Sequence, residues 1–226
     1  MDILCKALVA VVYGALVGII NIPLSKKLAS TRTEDPGDLA PLNKISIKLL
    51  SVAAGIAFTA GLVFTFKSYD LLVRDLLFLI PILSICFVDA LVRKIPNPLL
   101  LAMLVIELVY VIYYCVTNKT TDIIPQMFVG FLLGMVVGIL PGFLKIPMGA
   151  GDKKYMAVIG ICLYAAGYFQ SMVLMALLVL VFYIYLKISK KGTIKTQIPM
   201  GPFFSVGAVI TMCYSLFEHL GVTELI

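Results

Sequence analysis

The chain has 226 residues, of which 62% are hydrophobic and only 13% charged, and its mean hydropathy is +1.08. A soluble globular domain of this length does not carry so little charge, so soluble enzymes and binding modules are excluded and the chain reads as an integral membrane protein. The net charge of +6 is gathered in loops beside apolar runs, without interleaved aromatics, which points to membrane sidedness and anionic lipid headgroups and away from nucleic acid.

Apolar stretches of about 20 residues, enough to cross a bilayer, fall at 3–24, 45–66, 71–91, 98–117, 123–144, 154–169, 170–188 and 201–221. They predict an all-α polytopic membrane protein, a bundle of about eight transmembrane helices forming a single domain, 1–226. The first span is followed by Lys26, Lys27 and Arg32 and ends in no A-x-A site, so it is predicted to be retained, not cleaved as a signal peptide. The longest connection, "SKKLASTRTEDPGDLAPLNK" (25–44), is rich in turn formers and reads as a short cytoplasmic loop. Gly14 and Gly18 in the first span, and Gly130, Gly134 and Gly138 in the fifth, recur every four residues and predict close helix packing. The sixth and seventh spans are predicted to be divided by a sharp turn at 168–170. The five cysteines lie within spans and form no C-x-x-C pair, which suits small apolar fillers. His219, the only histidine, stands beside Glu218 in a predicted outer segment, so no metal site is expected.

Most of the 18 Lys and Arg fall in alternate loops, among them Lys26, Lys27, Arg32, Arg93, Lys94, Lys153 and Lys154, while Lys6, Lys67, Arg74 and Lys119 fall on the other side. The positive-inside rule then puts the basic loops in the cytoplasm and both termini outside, in a multi-pass protein of the cytoplasmic membrane.

Acidic residues near membrane depth are costly and need a reason. Asp70 and Asp75 stand at the outer start of the third span, where water and the helix dipole favour them. Glu107, in the middle of "LLLAMLVIELVYVIYYCV", is a site candidate or a protonated, hydrogen-bonded carboxyl, with no second ionisable residue expected at its depth. Asp89 and Asp152 differ because they share a side. Asp89 precedes Arg93 and Lys94 by one turn at the inner end of the third span, and Asp152 approaches the same interface from "PMGAGDKKYM". Two carboxylates at one shallow depth can share a proton, which supplies a base to activate water and an acid for a leaving amine. Gly149 and Gly151 are predicted to free the backbone for φ > 0 or for a close approach, and Asp152 to cap a helix starting at Lys153. In "KTQIPMGPFFSVGA" (195–208) two prolines and a glycine, Pro199, Gly201 and Pro202, keep the chain extended, and extended backbone beside a site can receive a substrate as an added strand.

Three pieces together resemble the type IV prepilin peptidase family of membrane aspartyl proteases: Asp89 followed by Pro96-Asn97, then Gly149-Ala150-Gly151-Asp152-Lys153-Lys154, then Ile198-Pro199-Met200-Gly201-Pro202-Phe203. The early "GALVGIINIPL" is similar to that family's opening motif. The resemblance implies that Asp89 and Asp152 are the catalytic pair, that Gly149, Gly151, Lys154, Pro96 and Asn97 support it, and that Pro199, Gly201 and Pro202 meet the substrate. It implies hydrolysis of a short basic leader, ending in Gly, from type IV pilin-like precursors at the cytoplasmic membrane face, with no cofactor. Long members carry a cytoplasmic insertion with paired C-x-x-C motifs and methylate the new N-terminus; here the corresponding loop, 25–44, is short and has no cysteine, which resembles the peptidase-only form. The presenilin group shares G-x-G-D but pairs it with Tyr-Asp and Pro-Ala-Leu; here Val88 precedes Asp89 and no Pro-Ala-Leu occurs. The membrane carboxylates also fit a second class, a small transporter or channel that binds a cation or proton, in which Glu107 would matter as much as Asp89.

Overall fold

The computed structural model describes residues 2–66, 68–143, 148–189 and 198–216. Lys67, the start of the 195–208 stretch, His219 and the end of the predicted eighth span lie outside them. Among the described residues the chain is helical throughout, with no strand. Helix α1 (Ile3–Ser30) leads through a 3-10 turn (Pro36–Leu39) and the short α2 (Ala40–Asn43) into α3 (Ile45–Thr65) and α4 (Tyr69–Val92). Then follow α5 (Asn97–Asn118), α6 (Ile123–Phe143), α7 (Ala150–Ile188) and α8 (Gly201–Cys213).

Six of these, α1 and α3 to α7, are long and apolar enough to cross a membrane, and α8 is a shorter apolar helix. Their outward faces are apolar, as at Leu101, Val105 and Leu108 on α5 or Phe128, Leu132 and Val136 on α6. A helix pairs its backbone groups internally, and the side chains facing outward here match hydrocarbon, so the chain is a multi-pass membrane protein. Helix α4 is the centre of the bundle: most of its length is buried, with Phe78, Leu79, Ile82, Ile85 and Val88 fully enclosed.

The recurring glycines act as the spacing predicts. α1 and α3 meet at Gly14, Gly18 and Gly55, and α6 lies on α7 through Gly130, Gly134 and Gly138. A Cβ on Gly134 would stand 2.5 Å from the carbonyl oxygen of Met156. Without hydrophobic pressure between helices in lipid, such backbone approach supplies the packing.

The predicted turn at 168–170 is corrected by the structure. α7 is helical on both sides of one residue, Tyr164, whose φ of 58° and ψ of −177° divide it. Beyond the break Gly167 lies against Thr211, Gly207 against Ser171 and Phe182 against Phe203. The second part of α7 therefore runs back obliquely along α8 towards Gly201, and eight apolar helical segments result. Gln170, read from sequence as part of the turn, instead sits in helix and ties down the chain after α8: its amide donates to Tyr214 O (2.6 Å) and accepts from Leu216 N (2.8 Å).

Candidate active site

Helix ends bring residues 89 and 152 together. α4 closes with Arg93 in the left-handed region (φ 54°, ψ 37°), its N–H bonded to Asp89 O at 3.0 Å, so Asp89 projects from the last turn. The chain then turns through buried Ile95 and Pro96, with Pro96 at the N-cap of α5 and Asn97 as its first residue. From the other side α7 starts at Ala150 with Gly149 as N-cap, which places Asp152 in the first turn. This differs from the expected cap of a helix beginning at Lys153. The Asp152 carboxylate turns back towards Gly149, the direction that the third residue of a helix takes in a capping box.

The two glycines do not take positive φ. Gly149 is ordinary extended backbone (φ −63°, ψ 144°), and Gly151 is helical. What they supply is room. A Cβ on Gly149 would lie 2.8 Å from Asp152 Oδ2, and one on Gly151 would lie 3.2 Å from Ile95 Cβ.

Asp89 is 4% exposed, and its Oδ2 accepts the N–H of Gly201 at 2.8 Å. A side chain at 201 would put Cβ 2.7 Å from that oxygen, so only glycine lets the start of α8 approach. α8 begins at Gly201, which confines non-helical backbone on its approach to residues 198–200 among those described. The Gly201 N–H is thus engaged by Asp89 and does not stand free as a strand edge.

Asp152 feels the charge of Asp89, and Asp89 feels that of Arg93. A cleft of about 260 Å³ opens between them, walled by both aspartates, Gly149, Gly151 and Asn97 and rimmed by Arg93, Lys94 and Lys154. Of the sequence-predicted residues it thus gathers Asp89, Asp152, Gly149, Gly151, Asn97 and Lys154, with Gly201 bonded to Asp89. Pro96 is buried beneath it, and Pro199 and Pro202 are not among its described walls. Asn97, Ala150 and Lys154 also line a second, apolar groove of about 630 Å³ that continues from the cleft between α5, α6 and α7, past Leu101, Leu104 and Met135.

One supporting pair was not legible in the sequence. Tyr155, fully buried and one turn beyond Asp152, shares a hydrogen bond of 3.0 Å with Ser205, and its ring meets Phe204 edge-on at 6.0 Å between centroids. It joins α7 to α8 behind both aspartates. A tyrosine three residues after the acid was the available signal, and a weak one.

A second polar centre lies at the opposite end of the bundle. Arg74 Nε and Nη2 both donate to Asp75 Oδ1 (3.0 and 2.8 Å), and Nη1 donates to the Tyr164 hydroxyl (2.9 Å). That hydroxyl donates to Glu107 Oε1 at 2.7 Å, while Glu107 Oε2 lies 3.7 Å from Arg74 Nη1. The guanidinium stacks over Tyr110, 4.8 Å from the ring centroid. Two expectations are corrected here. Asp75 is 4% exposed and paired, not solvated, and Glu107 has ionisable neighbours at its depth because α4 and α5 run in opposite directions.

The fold and the cleft define a class: a polytopic helical membrane protein with two carboxylates from separate helices at one end of the bundle. The model of the type IV leader peptidase family matches residues 76–187. That span, which includes Asp89, Asp152 and the glycines beside it, is where the chain is similar to this family of peptidases. No curated protein and no solved structure matches it.

Proposed function

We propose that Asp89 and Asp152 form a proton-sharing pair that activates water for hydrolysis of one peptide bond in a type IV pilin-like precursor. The observation that carries this reading is the meeting of the two carboxylates in a single cleft at the end of an apolar bundle. The match of residues 76–187 to the leader peptidase family supports the substrate class.

In this mechanism one carboxylate removes a proton from a water held between the pair. The water oxygen attacks the scissile carbonyl, and the other carboxyl donates a hydrogen bond to the developing oxyanion. Collapse of the tetrahedral intermediate breaks the C–N bond, and the proton first taken from water passes to the leaving amine. Gly201 fixes the orientation of Asp89 through Oδ2, leaving Oδ1 for the shared proton. The precursor's apolar helix rests in the groove beside Leu101, Leu104 and Met135, because that groove shares Asn97, Ala150 and Lys154 with the cleft. A leader emerging from it then crosses the aspartates. The basic loops favour cleavage on the cytoplasmic side.

The test is co-expression with a precursor bearing a basic leader, a glycine and an apolar helix, read by mass spectrometry. Cleavage after the glycine, lost in Asp89→Asn and Asp152→Asn while each protein still inserts, is the expected result. Uncleaved precursor together with proton or cation flux in proteoliposomes would replace the peptidase with the transporter reading.

A further inference from the structure

Arg74, Asp75, Glu107 and Tyr164 take no part in the cleft, yet they stand on the helices that form it. α4 bears Asp89 near one end and Arg74 about 22 Å away; α7 bears Asp152 in its first turn and breaks at Tyr164 about 18 Å on; α5 starts beside the cleft at Asn97 and holds Glu107 about 15 Å further along. The same three helices are therefore joined twice, once at the aspartates and once at this buried cluster.

Tyr164 is the unusual member. Its φ of 58° with ψ of −177° lies where glycine alone is at ease, and no glycine or proline adjoins it. A tyrosine is held there only if its surroundings over-determine it. The surroundings do: its hydroxyl donates to Glu107 on α5 and accepts from Arg74 on α4, and Arg74 is itself held by Asp75. On the far side the backbone of Gly130 is packed directly against Gly160 and Tyr164.

We propose that Arg74, Glu107 and Tyr164 are positioning residues for the aspartate pair, setting the direction of the first part of α7 and with it the approach of Asp152 to Asp89. The proposal rests on the reading of that pair as a peptidase centre. The geometry makes it a lever. Over about 18 Å of helix, a tilt of about 5° at Tyr164 carries Asp152 by about 1.6 Å. A misplacement of about 1 Å at reacting groups is enough to lower a rate about 10²-fold. Releasing the hydroxyl from its two partners frees the Tyr164 backbone to relax towards an ordinary region, and the glycine-packed pair of α6 and α7 moves with it.

The experiment compares Tyr164→Phe, which keeps the ring and removes both bonds, with Glu107→Gln, which retains an acceptor for the hydroxyl, and Glu107→Leu, which does not but leaves Arg74 balanced by Asp75. Each is reconstituted in liposomes with a synthetic precursor of basic leader, glycine and apolar helix. In parallel, without the native cysteines, Asp89→Cys and Asp152→Cys are combined with each change and the yield of a short bifunctional cross-link is measured. The expected result is a fall in kcat of about 10²-fold for Tyr164→Phe and Glu107→Leu with KM within about twofold. Their cross-link yield falls several-fold, and both readouts are restored close to wild type in Glu107→Gln. Wild-type kcat and cross-linking in Tyr164→Phe and Glu107→Leu would overturn the proposal and leave the cluster as a brace. If the wild type does not cut the precursor while cross-linking still falls in the variants, the positioning role stands and the peptidase reading fails.

Discussion

The aspartate pair and the Arg74 cluster are acidic centres on the same helices, and they are built in opposite ways. At the Arg74 end each strong donor has an acceptor: the guanidinium spends its N–H groups on Asp75 and Tyr164, and the tyrosine passes its proton to Glu107. At the cleft Asp89 is held by a backbone N–H, that of Gly201, Asp152 turns back against Gly149, and Arg93, Lys94 and Lys154 line the cleft beside them. A neutralising partner fixes a buried charge and makes it inert. Backbone donors orient a carboxylate and leave its second oxygen open to water. The difference lies in the partners and not in burial, since Asp75 and Asp89 are both 4% exposed, and it is the difference that the proposed catalytic role of Asp89 requires.

That contrast can be broken in several ways. The largest effect is expected on stability at the paired centre. Asp75→Asn leaves Arg74 without its closest anion and should lower stability by about 3 kcal/mol, as removal of one partner of a buried pair does. Asp152→Asn, in the open cleft, should leave the melting temperature unchanged or raise it. Circular dichroism melts in detergent compare the two, and equal losses would remove the distinction. Next, Gly201→Ala forces Cβ into the space beside Asp89 Oδ2; kcat for the precursor should fall about 10²-fold with the protein still inserted. Smaller still, Tyr155→Phe removes the hydrogen bond to Ser205 and should lower stability by about 1 kcal/mol, with a change in kcat of only a few-fold. A loss as large as that of Gly201→Ala would place Tyr155 among the groups that act on the reaction.

Much of the bundle was legible in the sequence because bilayer thickness imposes one length on every span. The predicted 98–117 and 123–144 fall within a residue of α5 and α6. The break at Tyr164 was hidden for a physical reason. Sequence rules look for glycine or proline where a helix turns, and here three tertiary contacts hold a bulky residue in a conformation it does not favour. Asp75 was misread because position along a helix gives depth but not the neighbour across the interface. Glu107 was misread because its partner, Arg74, was placed at the outer side by its charge and not at the depth of Glu107. The acids of the cleft were recoverable, since glycine spacing and the side given by Arg93, Lys94, Lys153 and Lys154 place Asp89 and Asp152 at one depth. The contact of Gly201 with Asp89 joins residues far apart in the chain and needed the fold.

The most direct test of the central claim is single-turnover cleavage by the purified protein in lipid, with wild type, Asp89→Asn and Asp152→Asn assayed side by side on the same precursor. The expected result is one cut, between the basic leader and the apolar helix, and a rate lower by about 10³-fold or more in each variant, with the precursor still bound. Cleavage by either variant at the wild-type rate would contradict it.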